Sequence, residues 1–299
     1  MKKYKVILFG LGDVGYKYDV SNPEYRLTHY NTLVNDRRFE LVGCVDPKVP
    51  ISWNYDVPIW KDQSNCDQKA DIYVIAVPTY EHVSSVENVI CKAGCKLIFL
   101  EKPGGASLAE TNYIQVLSQR YNVPILINLF RDVEAKNTAA QLEPLGEIKK
   151  VGIEYTGTLN NIGIHFLSFI EKVIGKNISF FQKNQGDNFQ SYSFQIGDIP
   201  VFVVENSNTM PLNNEVVFLC ENGKMIYLND NNTVNIYEKR PSRIFPCEAS
   251  YELVASHSLC IESSLSRVYD NIVKFLQLGK CQLRTIEELS VLKRSINHE

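Results

Sequence analysis

The chain has 299 residues, 44% of them hydrophobic and 22% charged, and a formal net charge of -3 at pH 7. That length accommodates two domains and a large buried core. The charge balance offers no general attraction to nucleic acid or an anionic membrane surface, and no run of roughly eighteen apolar residues is present to span a bilayer.

The amino terminus has a basic front followed by an apolar stretch that is too short for a signal-peptide core. Residues 5–9 read as a first strand, which runs directly into Gly10-Leu11-Gly12-Asp13-Val14-Gly15. A helix entered at Asp13–Gly15 is expected to lead into a long tyrosine-rich connection that reaches His29 and is interrupted by Asn22-Pro23. Further strands are predicted at 39–45, 72–77, 96–100 and 123–128, with helices at 81–93 and 108–121. Strands alternating with helices predict a parallel, doubly wound sheet. After about residue 146 the character changes. Strand candidates at 194–196, 200–204, 215–220, 224–228 and 233–237 are separated by Gly197-Asp198, Asn222-Gly223 and Asp230-Asn231-Asn232. Asn-Gly between two such runs is a hairpin signal, so an antiparallel sheet and a second domain follow. Helical periodicity closes the chain at 262–278 and 285–295.

The eight cysteines are scattered, and none forms a CxxC pair with metal spacing. Cys91 and Cys95 lie four residues apart, at and just past the end of a predicted helix, without a second ligand pair. No metal site is expected; reduced, mostly buried thiols and a cytoplasmic location are.

Two signatures carry the chemistry. In Gly10-x-Gly12-x-x-Gly15 the first glycine permits a tight turn, the second lets backbone approach a pyrophosphate, and the third lets helix and strand pack closely. Asp13 and Val14 complete the loop, whose helix amino terminus would favour an anion. The strand at 39–45 ends in Asp46, whose carboxylate can accept adenosine-ribose hydroxyls and repels a 2′-phosphate. That favours NAD, while nearby Lys48 softens the preference and leaves NADP as the second candidate. The plainer reading is a glycine turn with a solvent-facing acid. Glu101-Lys102-Pro103 ends another strand of the same expected sheet, at the edge where an open α/β sheet binds ligands. An isolated Lys-Pro would read as a surface lysine before a turn.

With these residues in place, the chain resembles the glucose–fructose oxidoreductase, inositol dehydrogenase and rhizopine-catabolism family (Gfo/Idh/MocA) over nearly its whole length. The likeness includes GLGDVG, Asp46, Tyr55-Asp56-Val57-Pro58-Ile59-Trp60, Ala76-Val77-Pro78-Thr79-Tyr80-Glu81-His82, Glu101-Lys102-Pro103, Phe130-Arg131, Leu145-Gly146-Glu147-Ile148 and Leu159-Asn160-Asn161-Ile162-Gly163-Ile164-His165. It extends to Val268-Tyr269-Asp270-Asn271-Ile272 and Thr285-Ile286-Glu287-Glu288. The resemblance implies an amino-terminal Rossmann domain over residues 1–125 and a carboxyl-terminal α+β domain over 126–299, built on a largely antiparallel open sheet that would form a homodimer or homotetramer.

It also implies site roles. Pro78, Thr79 and His82 would lie along the nicotinamide half of the cofactor, and Glu101 near its ribose. Lys102 would face the substrate oxygen, where an ammonium stabilises a developing alkoxide or lends a proton. Arg131 and His165 would contact substrate. The family's acid/base histidine sits in Asp-x-Gly-x-His, and here the acid is Asn161. Four residues on an α-helix is one turn, so Asn161 and His165 would share a face; an amide can orient the imidazole but cannot stabilise an imidazolium by charge. A lone histidine on an apolar helix face is otherwise a core residue.

The link between a strand ending near Thr156 and this helix is short, and Tyr16, Tyr18 and Tyr25 lie in the early insertion. These tyrosines wall a changed substrate pocket or pack a solvent-facing loop. Members with such an insertion tend to belong to surface-polysaccharide pathways, which by association favours a nucleotide-linked sugar. The expected activity is NAD(P)-dependent hydride transfer at a sugar ring carbon; the alternative is a catalytically silent, cofactor-binding sensor or assembly partner.

Overall fold

The structure, a computed structural model, describes residues 3–48, 57–66, 68–186, 189–206, 214–228, 232–245 and 247–296. Tyr55-Asp56 and the Asp230-Asn231 turn lie outside these residues. The chain divides into two units, Met1–Val133 with Glu262–Lys293, and Glu134–Ile261 with Arg294–Glu299.

In the first unit, β1 (Tyr4–Phe9), β2 (Phe39–Val45), β3 (Ile59–Trp60), β4 (Ile72–Ile75), β5 (Leu97–Glu101) and β6 (Ile125–Asn128) form a parallel sheet in the order 6-5-4-1-2-3. The chain reverses direction across the sheet at β1 and β4, the place where an open sheet leaves a crevice at its carboxyl edge. Every residue of β4, β5 and β6 is buried, as their continuous apolar runs require of a sheet covered on both faces.

Helices α1 (His29–Asn35), α2 (His82–Ile90) and α3 (Leu108–Tyr121) belong to this unit. The predicted bounds of α3 coincide with those observed because its ends are chemically marked. The Ser107 hydroxyl accepts from the Glu110 amide, Glu110 Oε2 accepts from the Ala106 amide at 2.7 Å, and Asn122 closes the helix at φ 52°. This is the Ser-x-x-Glu pattern of a capping box, with the carboxylate on the amide just before the N-cap, and a left-handed stop.

The helix entered at the glycine loop is a single turn, and the connection expected to reach His29 follows it. Asp13–Lys17 makes a single π-helical turn, residues 18–28 turn back, and α1 starts only at His29. Asp19 is the reason. Its buried carboxylate accepts from the amides of Leu27 and Thr28 and from the Thr28 hydroxyl, at 2.6–3.0 Å. Thr28 in turn caps α1 by accepting from the Asn31 amide. Tyr16 is core, edge-on to Tyr30 at 5.3 Å between ring centroids, whereas Tyr18 and Tyr25 are exposed.

The second unit holds α4 (Ala135–Leu142), β7 (Ile148–Thr156), α5 (Ile164–Ile174), β8 (Ile178–Gln185), β9 (Phe189–Ile196), β10 (Ile199–Asn206), β11 (Asn214–Cys220), β12 (Gly223–Leu228), β13 (Thr233–Pro241) and β14 (Ala249–Ser258). Its sheet runs in the order 14-13-12-11-7-10-9-8 and is antiparallel except where β10 joins β7. Strands β8 and β14 were not foreseen.

The domain boundary at residue 125 needs correction. The last parallel strand, β6, belongs to the first unit, and the chain comes back to it through α6 (Ser264–Leu278), β15 (Arg284–Thr285) and much of α7 (Ile286–Ile296). The cause is burial. Leu265, Val268, Tyr269 and Ile272 of α6 join Val6, Leu8, Val74 and Phe99 in one core cluster, at about 1.5–3 kcal/mol for each large side chain fully buried. β15 adds an antiparallel edge to β6.

The eight thiols are less buried than expected: Cys44, Cys66 and Cys220 are buried, Cys95 and Cys281 half-buried, and Cys91, Cys247 and Cys260 exposed. Among the described residues no cluster of His, Cys, Asp and Glu could hold a metal ion, and no helix is long and apolar enough to cross a membrane.

Candidate functional site

Register across the first sheet places the expected residues in a row. Phe9 pairs with Val45 and with Ile75, Ile75 with Leu100, and Leu100 with Ile127. The strands therefore end level, and the next residues along the carboxyl edge are Asp46, Gly10, Ala76, Glu101 and Asn128. The glycine loop, Asp46, the Pro78–Thr79 turn, Lys102 and Arg131 all leave from this edge.

The three glycines are required for different reasons. Gly10 has φ +92°, and a Cβ there would sit 2.3 Å from the Ala76 carbonyl oxygen. A Cβ on Gly15 would sit 2.2 Å from the Gly10 carbonyl oxygen. At Gly12 a Cβ would meet nothing within 4 Å. That open side is where a pyrophosphate could approach the backbone, and a methyl would fill it.

The dipole of a long helix is not available here, because only one turn follows the loop. Val14 packs against the core, and the exposed Asp13 pairs with Lys17 at 3.7 Å. Asp46 Oδ2 accepts from the Leu11 amide at 2.6 Å and Oδ1 from the Lys48 amide at 2.7 Å. Half-buried and fixed beside the loop, this carboxylate keeps lone pairs for ribose hydroxyls.

Pro78 is exposed and Thr79 half-buried, at the start of a short 3-10 turn. His82 is placed differently from the resemblance. It is only 1% exposed, with Nδ1 2.8 Å from the Gly104 carbonyl and Nε2 3.1 Å from the Val77 carbonyl. The ring braces the loop after β4 to the loop after β5 instead of presenting a face to a nucleotide. Burial pulls its proton affinity below that of an ordinary imidazole, although both carbonyls and Glu101 oppose this.

Glu101 also turns inward. Its Oε1 lies 2.9 Å from His29 Nε2 and accepts from Asn128 Nδ2 at 2.5 Å. Burial pushes this carboxyl up, but His29, Asn128 and Lys102 together hold it below the usual carboxylate range. The half-buried Lys102 follows, its proton affinity lowered by burial and partly restored by the Glu101 charge. A lysine in that state can both stabilise negative charge on oxygen and exchange a proton. Arg131 is buried in the turn after β6, its guanidinium 4.7 Å from the Phe130 ring centroid, so it packs within the turn at a position expected to touch substrate.

In the second unit, His165 is buried in the first turn of α5, whereas Asn161 is exposed on a π-helical turn, Leu159–Gly163. The two do not stand one α-helical turn apart, because a π turn carries more residues per rotation. Gly163 ties the turn down: a Cβ there would lie 2.5 Å from the Tyr155 hydroxyl. Sequence reasoning missed His29 and Asn128, which bond Glu101, and Tyr269, which bonds His29.

No protein-family model and no curated protein sequence matches the chain. Solved structures do match. An oxidoreductase from Agrobacterium radiobacter in complex with NAD+, L-tartaric acid and magnesium is 13% identical with TM-score 0.71, covering 99% of this chain and 95% of that one. UDP-N-acetylglucosamine 3-dehydrogenase from Acidithiobacillus ferrooxidans is 12% identical with TM-score 0.69, covering 99% and 96%. The transcriptional regulator Gal80p from Kluyveromyces lactis is 14% identical with TM-score 0.74, covering 98% and 90%. At such identities the likeness shows the fold: a Rossmann-like parallel sheet followed by a second, antiparallel-rich sheet.

Proposed function

We propose that the chain is an NAD(P)-dependent oxidoreductase, working in the cytoplasm as a homodimer or homotetramer on a sugar, with a nucleotide-linked sugar favoured. The observation that carries this reading is the level row at the carboxyl edge, where an open-sided Gly12 and an oriented Asp46 lie on one side and Glu101–Lys102 on the other. A nicotinamide there would supply hydride chemistry. The chain's own part is to hold pyrophosphate at residues 10–15 and ribose hydroxyls at Asp46, and to place the Lys102 amine where charge develops on the substrate oxygen. The NAD+ complex and the UDP-sugar dehydrogenase among the structural neighbours support the cofactor and substrate class.

The amide at Asn161 and the likeness to a transcriptional regulator favour a second reading, a cofactor-binding protein that does not turn over. Cofactor fluorescence titration separates these. NADH is expected to bind more tightly than NADPH, and Asp46→Ala to narrow the gap; NADPH binding about tenfold tighter in the unaltered protein contradicts the role of Asp46. Asn161→Asp with a panel of nucleotide sugars then decides between a weakened enzyme, which gains turnover, and a sensor, which binds NADH and stays silent.

A further inference from the structure

His29 opens α1 immediately after the Asp19-pinned insertion and is fully buried. Its two ring nitrogens join a hydrogen-bonded chain across the first unit. Tyr269 Oη of α6 lies 3.0 Å from Nδ1, and Glu101 Oε1 at the end of β5 lies 2.9 Å from Nε2. Asn128 Nδ2 of β6 donates to the same carboxylate oxygen. The ring stands edge-on to Phe99 and Tyr269, at 5.6 and 6.0 Å between centroids. Burial pushes the Tyr269 phenol far above its ordinary value, so it stays protonated and donates. An imidazole carrying its proton on Nε2 accepts from Tyr269 and donates to Glu101.

We propose that His29 is a positioning residue for Lys102: with Tyr269 behind it, it holds the Glu101 carboxylate as a fixed negative charge at the residue before Lys102 and so sets how tightly that amine keeps its proton. This rests on the reading of Lys102 as the reacting amine. A buried carboxylate that loses a donor becomes costly as an anion and neutralises instead. The charged and titratable groups around it are few. Glu101 meets His29 from α1 and Lys102 from its own strand end, together with the amide of Asn128 from β6. His82 of α2 acts at longer range, and Tyr269 also senses Asp36. Without the His29 donor, Asn128 is among the described residues the side-chain donor left on the carboxylate, and Lys102 loses the charge that opposes its desolvation. The early insertion gains a role in the same step, since Asp19 and Thr28 fix where His29 enters the core.

The test is trace acetylation of the full-length protein as a function of pH, with the Lys102 peptide followed by mass spectrometry. His29→Leu should raise the labelling rate near neutral pH by about threefold or more, since each pH unit of lowered proton affinity raises the free-amine fraction about tenfold. His29→Gln keeps a donor toward Glu101 and should stay near the unaltered protein, with Tyr269→Phe in between. Leu and Gln variants that label alike, whether shifted or not, overturn the proposal. If circular dichroism shows that His29→Leu does not fold, Tyr269→Phe decides, and an unchanged Lys102 rate overturns it. NADH binding is read on the same samples. A labelling shift without NADH binding sinks the oxidoreductase reading alone, whereas NADH binding with unshifted labelling sinks the positioning role alone.

Discussion

Strands β4, β5 and β6 are buried at every residue, whereas β11 alternates buried and half-buried positions and β14 is exposed along nearly its whole length. A sheet sealed on both faces can present chemistry only at its strand ends, where the first unit buries Glu101 with its partner His29 from α1, and His82 between the loops after β4 and β5, with Lys293 bonded to the second of these loops; Asp19 is buried in the early insertion. A sheet sealed on one face has an open surface to offer another molecule. Its buried ionisable groups lie on the covering helix α5 instead, where His165 is buried and Glu171 accepts from the Ile178 amide at 2.6 Å. Where the polar atoms are buried thus follows from which faces are covered.

If close packing at the strand ends makes the first edge a site, a methyl group must be intolerable where backbone crosses backbone and harmless where the loop faces open space. Gly10→Ala should cost about 4 kcal/mol or more in denaturant unfolding, because its Cβ enters the Ala76 carbonyl and its φ lies in the left-handed region. Gly12→Ala should stay within about 0.5 kcal/mol of the unaltered protein yet lose NADH affinity. Equal stability losses for the two would break the distinction.

The next effect sets the two units against each other. Lys102→Ala should lower turnover about 10² to 10³-fold with NADH affinity nearly unchanged, the usual consequence of removing one preorganised donor. His165→Ala should lose less, because Lys102 is placed to supply both the proton and the charge at the substrate oxygen. Single-turnover rates on a substrate found among the nucleotide sugars decide this, and a more severe loss for His165→Ala would move the chemistry to the second unit.

The sequence made this edge legible wherever the signal was local. Glycine spacing, an aspartate ending a strand and Glu101-Lys102-Pro103 each act through neighbours in the chain. What holds Glu101 was not legible, because His29 is 72 residues away from it, and Tyr269, which bonds His29, is 240 residues away from that histidine. Such pairings are set by topology. The same holds for α6, whose apolar stripe was visible while the sheet it covers was not. Strand β14 escaped for a different reason: exposed on both sides, Ala249–Ser258 has no reason to alternate.

The smallest effect is a pH dependence that should belong to the first unit. Lys293 of α7 is 2% exposed, donating to the Gly105 carbonyl at 2.7 Å and to Thr111 Oγ1 at 3.0 Å. Burial lowers its pKa from the ordinary 10.5 to about 8, against a weaker pull from Glu110. Below about pH 8 the lysine is protonated in both folded and unfolded chains, so the penalty for burying its charge is present in full and does not vary. Between there and 10.5 the unfolded chain binds more protons, so stability rises with pH, and above 10.5 the penalty is gone. The gain is at most about 3 kcal/mol. Lys293→Met removes this titration while leaving the others in place, so the difference in unfolding free energy between the two proteins isolates it. That difference should shift in favour of the unaltered protein across this window, with hydrogen-exchange protection relative to the intrinsic, base-catalysed rate rising in peptides of the first unit. A flat difference, or a change confined to peptides of the second unit, would mean that Lys293 is not the charge buried at that edge.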